Sequence, residues 1–190
     1  MTDKQPLFNC IALIGIGLIG SSLARSIKKH RLSKHISVCT RSDETLEKAR
    51  NLGLGDSYHK EPAEAVKEAD LVVICTPMGA YASVAQAMSP GLRSGAIISD
   101  VGSTKQSVFS DLRPYLPDWV HLVPAHPVAG TADSGPESGY HELFENHWCI
   151  LTPSEDTDLK AISKIKNLWK SCGMMVETMD ASHHDHVLAI

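Results

Sequence analysis

Short apolar runs alternate with segments of helical periodicity along almost the whole chain, and this alternation restricts the fold most. Asn9-Cys-Ile-Ala-Leu-Ile14 is near-continuously apolar, as a parallel strand covered on both faces requires. Leu18 to Lys29 comes next, with Ile19, Leu23 and Ile27 at helical spacing. Ile36–Cys39, Asp70–Cys75, Ala96–Ser99, Trp119–Val123, Trp148–Leu151 and Met174–Thr178 read as further strands. Ser42–Leu52, Pro62–Ala69, Ala80–Met88, Thr104–Leu112 and Asp156–Cys172 read as the helices between them. Residues 125–140 are rich in Gly, Pro and Ser and read as a long loop. The pattern predicts an α/β fold, a mostly parallel open sheet with helices on both faces. Ligands of such sheets bind at the carboxyl ends of the strands, so the residues just after each strand are the informative ones.

Gly15-Ile-Gly17-Leu-Ile-Gly20 directly follows the first strand and opens the first helix. Gly15 permits the tight turn. Gly17, without a side chain, lets the backbone approach a pyrophosphate. Gly20 lets helix and strand pack closely. Free N–H groups at the helix start favour phosphate charge, and Leu18 and Ile19 belong to that start. The same glycines also fit a tight turn with no ligand, but position, spacing and strand order agree with a Rossmann-like dinucleotide site. An acid at the tip of the second strand would bind the adenosine ribose. The sequence there is Cys39-Thr40-Arg41-Ser42, with no acid; Asp43 comes after it as a helix-start residue. Arg41 would attract a ribose 2′-phosphate and Ser42 would add a hydroxyl, favouring NADP, or use of both NADP and NAD, over strict NAD. Arg41 also reads as an ordinary solvated arginine, and Ser42 as a helix N-cap. Cys75-Thr76-Pro77 ends another strand and is expected under the centre of the cofactor, with Pro77 shaping the turn.

Composition removes other classes. The chain has 190 residues, enough for one domain and a little more at about 150 residues per domain. With 43% hydrophobic and 21% charged residues it has the balance of a globular protein rather than a disordered one. A net charge of −4 gives no bulk basic field for nucleic acid or anionic lipid. The longest apolar run, Cys10 to Ile19, is far short of the roughly 20 residues that span a bilayer. No basic stretch precedes a cleavage-like site, so no signal peptide is expected. The five cysteines are scattered and form no CxxC pair. They suggest a reduced, cytoplasmic protein without a disulfide framework or zinc site.

Two segments at strand ends carry reactive groups. Asp100-Val-Gly102-Ser103-Thr-Lys105 follows one strand and His126-Pro127-Val-Ala-Gly130-Thr131 the next. Oxidising an alcohol needs a base beside the carbon that gives up hydride, and a neutral histidine such as His126 accepts a proton near pH 7. Ser103 can hydrogen-bond the same hydroxyl and the nicotinamide ribose, or cap the helix expected from Thr104. Lys105 can pair with Asp100 or attract an anionic substrate. His183, His184, Asp185 and His186 match no standard metal spacing and read as helix-start polar residues, with His184 near the cleft; no metal is expected.

Taken together, Gly15-x-Gly17-x-x-Gly20, Asp100-Val-Gly-Ser103-Thr-Lys105, His126-Pro-Val-Ala-Gly-Thr131 with Ser134-Gly135, and Ile150-Leu-Thr-Pro153 resemble the prephenate/arogenate dehydrogenase (cyclohexadienyl dehydrogenase) family. The resemblance implies NAD(P)-dependent oxidative decarboxylation of prephenate or arogenate to 4-hydroxyphenylpyruvate or tyrosine. His126 would be the proton acceptor, Ser103 would hold hydroxyl and cofactor together, and Thr131 would contact substrate. It also implies a homodimer formed through a helical C-terminal domain. Residues 1–180 would then be the dinucleotide-binding domain and 181–190 the truncated start of the second, a fragment without turnover of its own. Two positions depart from the family pattern. A glutamate that some members carry six residues after the histidine is Ala132 here, with Asp133 beside it, and the second-strand acid of NAD-using members is Thr40. A β-hydroxyacid type of dehydrogenase shares the glycine fingerprint and the Thr76-Pro77 turn, but not the His126 segment. A cofactor-binding module without chemistry is the remaining alternative.

Overall fold

The computed structural model describes residues 5–188. Six parallel strands form the main sheet: β1 (Phe8–Ile14), β2 (Ser33–Cys39), β3 (Ser57–His59), β4 (Leu71–Ile74), β5 (Ile97–Asp100) and β6 (His121–Leu122). Their spatial order is β3-β2-β1-β4-β5-β6. The chain therefore runs outward from β1 in one direction and from β4 in the other, which opens a crevice between the carboxyl ends of β1 and β4. Both faces are covered by helices. Ile11 and Leu13 of β1 join one core with α1 (Leu18–His30) and α6 (Leu159–Ser171). Cys10, Ala12 and Ile14 join the other, with α3 (Pro62–Val66), α4 (Tyr81–Met88) and α5 (Gln106–Leu112). Alternate side chains of one strand thus enter opposite cores, which explains the unbroken apolar run. The helix α2 (Asp43–Asn51) starts on its N-cap Ser42, whose hydroxyl accepts the Thr45 N–H at 3.2 Å.

Three expectations are corrected. Residues 125–140 are not all loop: Ala125–Pro127 is strand β7, antiparallel to β8 (Trp148–Leu151), which pairs in parallel with β9 (Met175–Thr178). This second, three-stranded sheet packs on the α1 and α6 side through Cys149, Leu151 and Trp169. Pro127 and the Gly-rich sequence after it disguise a three-residue strand that has no alternation to read. Secondly, β3 adds a strand that the sequence does not announce, because Ser57-Tyr-His59 is short and polar. Thirdly, α5 begins at Gln106 rather than Thr104, so Ser103 is not its N-cap. A last helix, α7 (Ala181–Leu188), starts on Asp180, whose carboxylate accepts the His183 N–H at 2.8 Å. No described helix is long and apolar enough to cross a membrane.

Candidate active site

The glycine turn joins β1 to α1 at the crevice. Gly15 has φ +97°, and a Cβ there would lie 2.8–2.9 Å from the Cys75 carbonyl and the Thr76 nitrogen. Only glycine tolerates both the conformation and that closeness. A Cβ on Gly20 would strike the Gly15 carbonyl oxygen. Around Gly17 the reverse holds: a Cβ would meet nothing within 4 Å. Gly17 is the N-cap of α1 and supplies no side-chain cap, so the first N–H groups of the helix at Leu18, Ile19 and Gly20 have no intrahelical partner. Across the crevice, the buried Thr76 hydroxyl has no hydrogen-bond partner. Open space, free helix-start donors and an unpaired hydroxyl together fit a phosphate-bearing ligand.

Thr40 and Arg41 follow β2 at the same edge of the sheet. The Thr40 N–H is tied to the His59 carbonyl at 3.2 Å. Arg41 is exposed and, among the described residues, makes no ion pair, whereas Asp43 is paired with Lys60 at 2.9 Å. The end of β2 thus presents one unpaired cation and no free acid.

The reactive residues are held by a buried ion pair. Lys105 and Asp100 are both fully buried, with Nζ and Oδ2 2.6 Å apart. Asp100 also accepts from Tyr81 Oη at 3.0 Å, Gly102 N at 2.8 Å and, through Oδ1, Ala125 N at 3.1 Å. Lys105 donates its second bond to the Ala125 carbonyl at 2.8 Å. Both backbone groups of Ala125 on the side away from β8 are therefore satisfied by side chains from the β5–α5 connection. The pair joins the two sheets and fixes the backbone immediately before His126. Burial pulls the Lys105 ammonium below its ordinary range, while Asp100 holds it up.

His126 lies on β7 opposite Ile150, half-buried. Its Nδ1 is 2.9 Å from Nε2 of His184 on α7, and His184 Nδ1 is 2.8 Å from Asp185 Oδ1. Burial lowers His126 from 6.5 to about 4, helped by the charges of His184 and Lys105 and opposed by Asp185. It is therefore neutral near pH 7. Asp185 also accepts the backbone N–H groups of Lys105 and Gln106, at 2.7 and 2.9 Å, and so caps α5 from another helix. His183 and His186 are exposed while His184 is fully buried, so these histidines do not converge on one point.

The structure thus brings His126, Lys105, Asp100 and His184 together, and separately Gly15, Gly17, Gly20, Cys75 and Thr76. Ser103 is exposed, in the connection between β5 and α5. The exposed Thr131 hydroxyl is engaged with Asp133, donating to its carboxylate at 3.0 Å. Sequence reasoning missed Tyr81, which carries no local signal, and the capping role of Asp185, whose contacts are about eighty residues away in sequence.

A sequence model described as "Prephenate dehydrogenase, nucleotide-binding domain" matches residues 23–178. The chain belongs to this family. It is 45% identical over 184 residues to a cyclohexadienyl dehydrogenase of Zymomonas mobilis, covering 97% of this chain and 62% of that protein. It is 37% identical over 181 residues to a prephenate dehydrogenase of Bacillus subtilis, covering 95% of this chain and 49% of that protein. Among solved structures, prephenate dehydrogenase from A. aeolicus in complex with hydroxyphenyl propionate and NAD+ superimposes with a TM-score of 0.89 at 29% identity. That match covers 100% of this chain and 65% of the other. The chain therefore spans between about half and two thirds of the length of these relatives.

Proposed function

We propose that this domain is the cofactor-binding and proton-accepting part of a prephenate or arogenate dehydrogenase. The single observation that carries this reading is His126: a half-buried, neutral histidine at the carboxyl-end edge of a dinucleotide-type sheet, held by Asp100 and Lys105 through Ala125. Gly15, Gly17, Leu18, Ile19 and Gly20 would hold the pyrophosphate, and Cys75, Thr76 and Pro77 the centre of the cofactor. When bound, the oxidised nicotinamide supplies the hydride acceptor. His126 would take the proton of the ring hydroxyl as hydride leaves the same carbon. The bond to the ring carboxylate then breaks, its electron pair enters the ring, carbon dioxide departs and the carbonyl oxygen takes back the proton from His126. Ser103 would hold the hydroxyl in line, and Thr131 would contact the substrate. Substrate carboxylate binding and dimerisation belong, in this reading, to the family's length beyond this domain, with β9 ending the domain and α7 opening the next. The setting proposed is the cytoplasm, in keeping with five free cysteines.

The test is reduction of each cofactor by the whole protein with prephenate and with arogenate, read as nicotinamide absorbance. Reduction with either acid is expected. Activity on a 3-hydroxy acid and on neither cyclohexadienyl acid reverses the assignment. NADP+ is expected to be the better cofactor, because Arg41 stands unpaired where an acid would exclude a 2′-phosphate. Arg41→Ala should then raise KM for NADP+ and leave KM for NAD+ alone; equal effects on both would remove Arg41 from cofactor choice.

The glycines give a second test. Gly17→Val places a side chain in the open space meant for the pyrophosphate. It should abolish cofactor binding by calorimetry while the melting temperature hardly moves. Gly15→Val, at φ +97° and against the Cys75 carbonyl, should instead lower the melting temperature. Intact cofactor affinity in Gly17→Val would place the phosphates elsewhere.

A further inference from the structure

Asp185 and His184 have no part in the chemistry above, yet His126 Nδ1 rests against His184, and His184 rests against Asp185. The structure assigns them a positioning role: Asp185, acting through His184, holds His126 in the tautomer whose Nε2 carries no proton. The inference rests on His126 being the proton acceptor and extends that reading to α7.

The direction of each bond comes from what each atom can do. An ionised carboxylate only accepts, so the 2.8 Å contact requires a proton on His184 Nδ1. A neutral His184 then has a bare Nε2, which accepts. The 2.9 Å contact between the rings is a hydrogen bond only if His126 Nδ1 supplies the proton. One proton remains on neutral His126, at Nδ1, and Nε2 is left with its lone pair. This is the form a general base needs, since the other ring nitrogen is already engaged. Asp185 is well placed to fix the chain of bonds. Burial pushes its carboxyl up, but the N–H groups of Gln106 and Lys105 and the His184 ring outweigh this and keep it below the ordinary range. Because the same two oxygens cap α5, the carboxylate cannot rotate away from His184 without uncapping that helix. The rings meet edge to face, 5.1 Å apart, and His184 is fully buried, so the orientation has no solvent alternative.

The experiment has a spectroscopic and a kinetic arm. Nitrogen-15 spectra of the histidine rings in this chain at neutral pH should show His126 protonated at Nδ1 and bare at Nε2. In Asp185→Asn the amide can donate to His184 Nδ1, which reverses both tautomers and places the proton on His126 Nε2. In the whole protein, kcat should then fall by about 10²-fold or more, within the contribution of a general base. KM and cofactor affinity should be retained. His184→Gln keeps a side-chain acceptor for His126 Nδ1–H and should keep most of the turnover, whereas His184→Leu should not. Neither variant at position 184 touches the α5 cap, so a capping defect alone would leave both active. A protonated Nε2 in the unaltered chain overturns the proposal, as does a turnover in Asp185→Asn equal to the parent's. If His126→Gln itself retains turnover, the general-base reading fails instead, whatever the ring spectra show.

Discussion

Replacing His126 with alanine in the whole protein is expected to lower kcat by about 10²- to 10⁴-fold, the usual contribution of a general base. Cofactor affinity should survive, because His126 stands on β7 of the second sheet while the glycine turn belongs to the crevice between β1 and β4. Near-normal turnover would withdraw the assignment. The parent protein's pH profile gives an independent check. An unperturbed histidine would lose its lone pair as pH falls through about 6.5. Burial, with the charges of His184 and Lys105, takes His126 down to about 4. The acid limb of kcat/KM from this group should therefore lie near 4, with activity level between there and neutrality. The same displacement acts on stability with a definite sign. Between 6.5 and about 4 the unfolded chain binds a proton that the folded chain refuses. Stability from this group is complete above 6.5 and declines as pH falls towards 4, and urea titrations of His126→Gln should lack that decline.

Much of this arrangement was legible in the sequence because it is written in local signals. The apolar runs gave five of the six strands of the main sheet, since a strand buried on both faces needs no alternation. The glycine spacing gave the turn, and each glycine has a distinct steric reason in the folded chain: a strained φ at Gly15, a close carbonyl at Gly20, open space at Gly17. His126 and Ser103 stood out because they come just after strand-like runs. What escaped was non-local or brief. β7 is three residues long and includes a proline, so no periodicity announces it. The cap of α5 comes from Asp185, eighty residues from Lys105, and propensity near Thr104 had no means of finding it. The Asp100–Lys105 pair was readable as one option, but not its burial, nor its hold on Ala125. Those depend on β7 lying beside β5, a fact of the second sheet.

That buried pair carries the largest expected stability effect. Lys105→Met keeps the length of the side chain and removes its charge. Asp100 would retain donors in Tyr81, Gly102 and Ala125, but its carboxylate would be fully buried with no counter-cation. The Ala125 carbonyl would lose its Lys105 donor as well. Removing one partner of a buried pair costs about 3–5 kcal/mol, far more than a surface pair is worth. Urea unfolding should show that loss, against a change within about 1 kcal/mol for Lys67→Met, whose Glu64 partner is solvent-exposed. The double variant Asp100→Asn/Lys105→Met leaves no buried charge and should regain part of the stability, because the cost lies in the orphaned carboxylate rather than in losing an attraction. It should not regain turnover. The amide oxygen at position 100 can still accept from Gly102 or Tyr81, but nothing then holds the Ala125 carbonyl, and His126 is the very next residue. A double variant no more stable than the single one would mean that the pair acts through packing, not through mutual neutralisation.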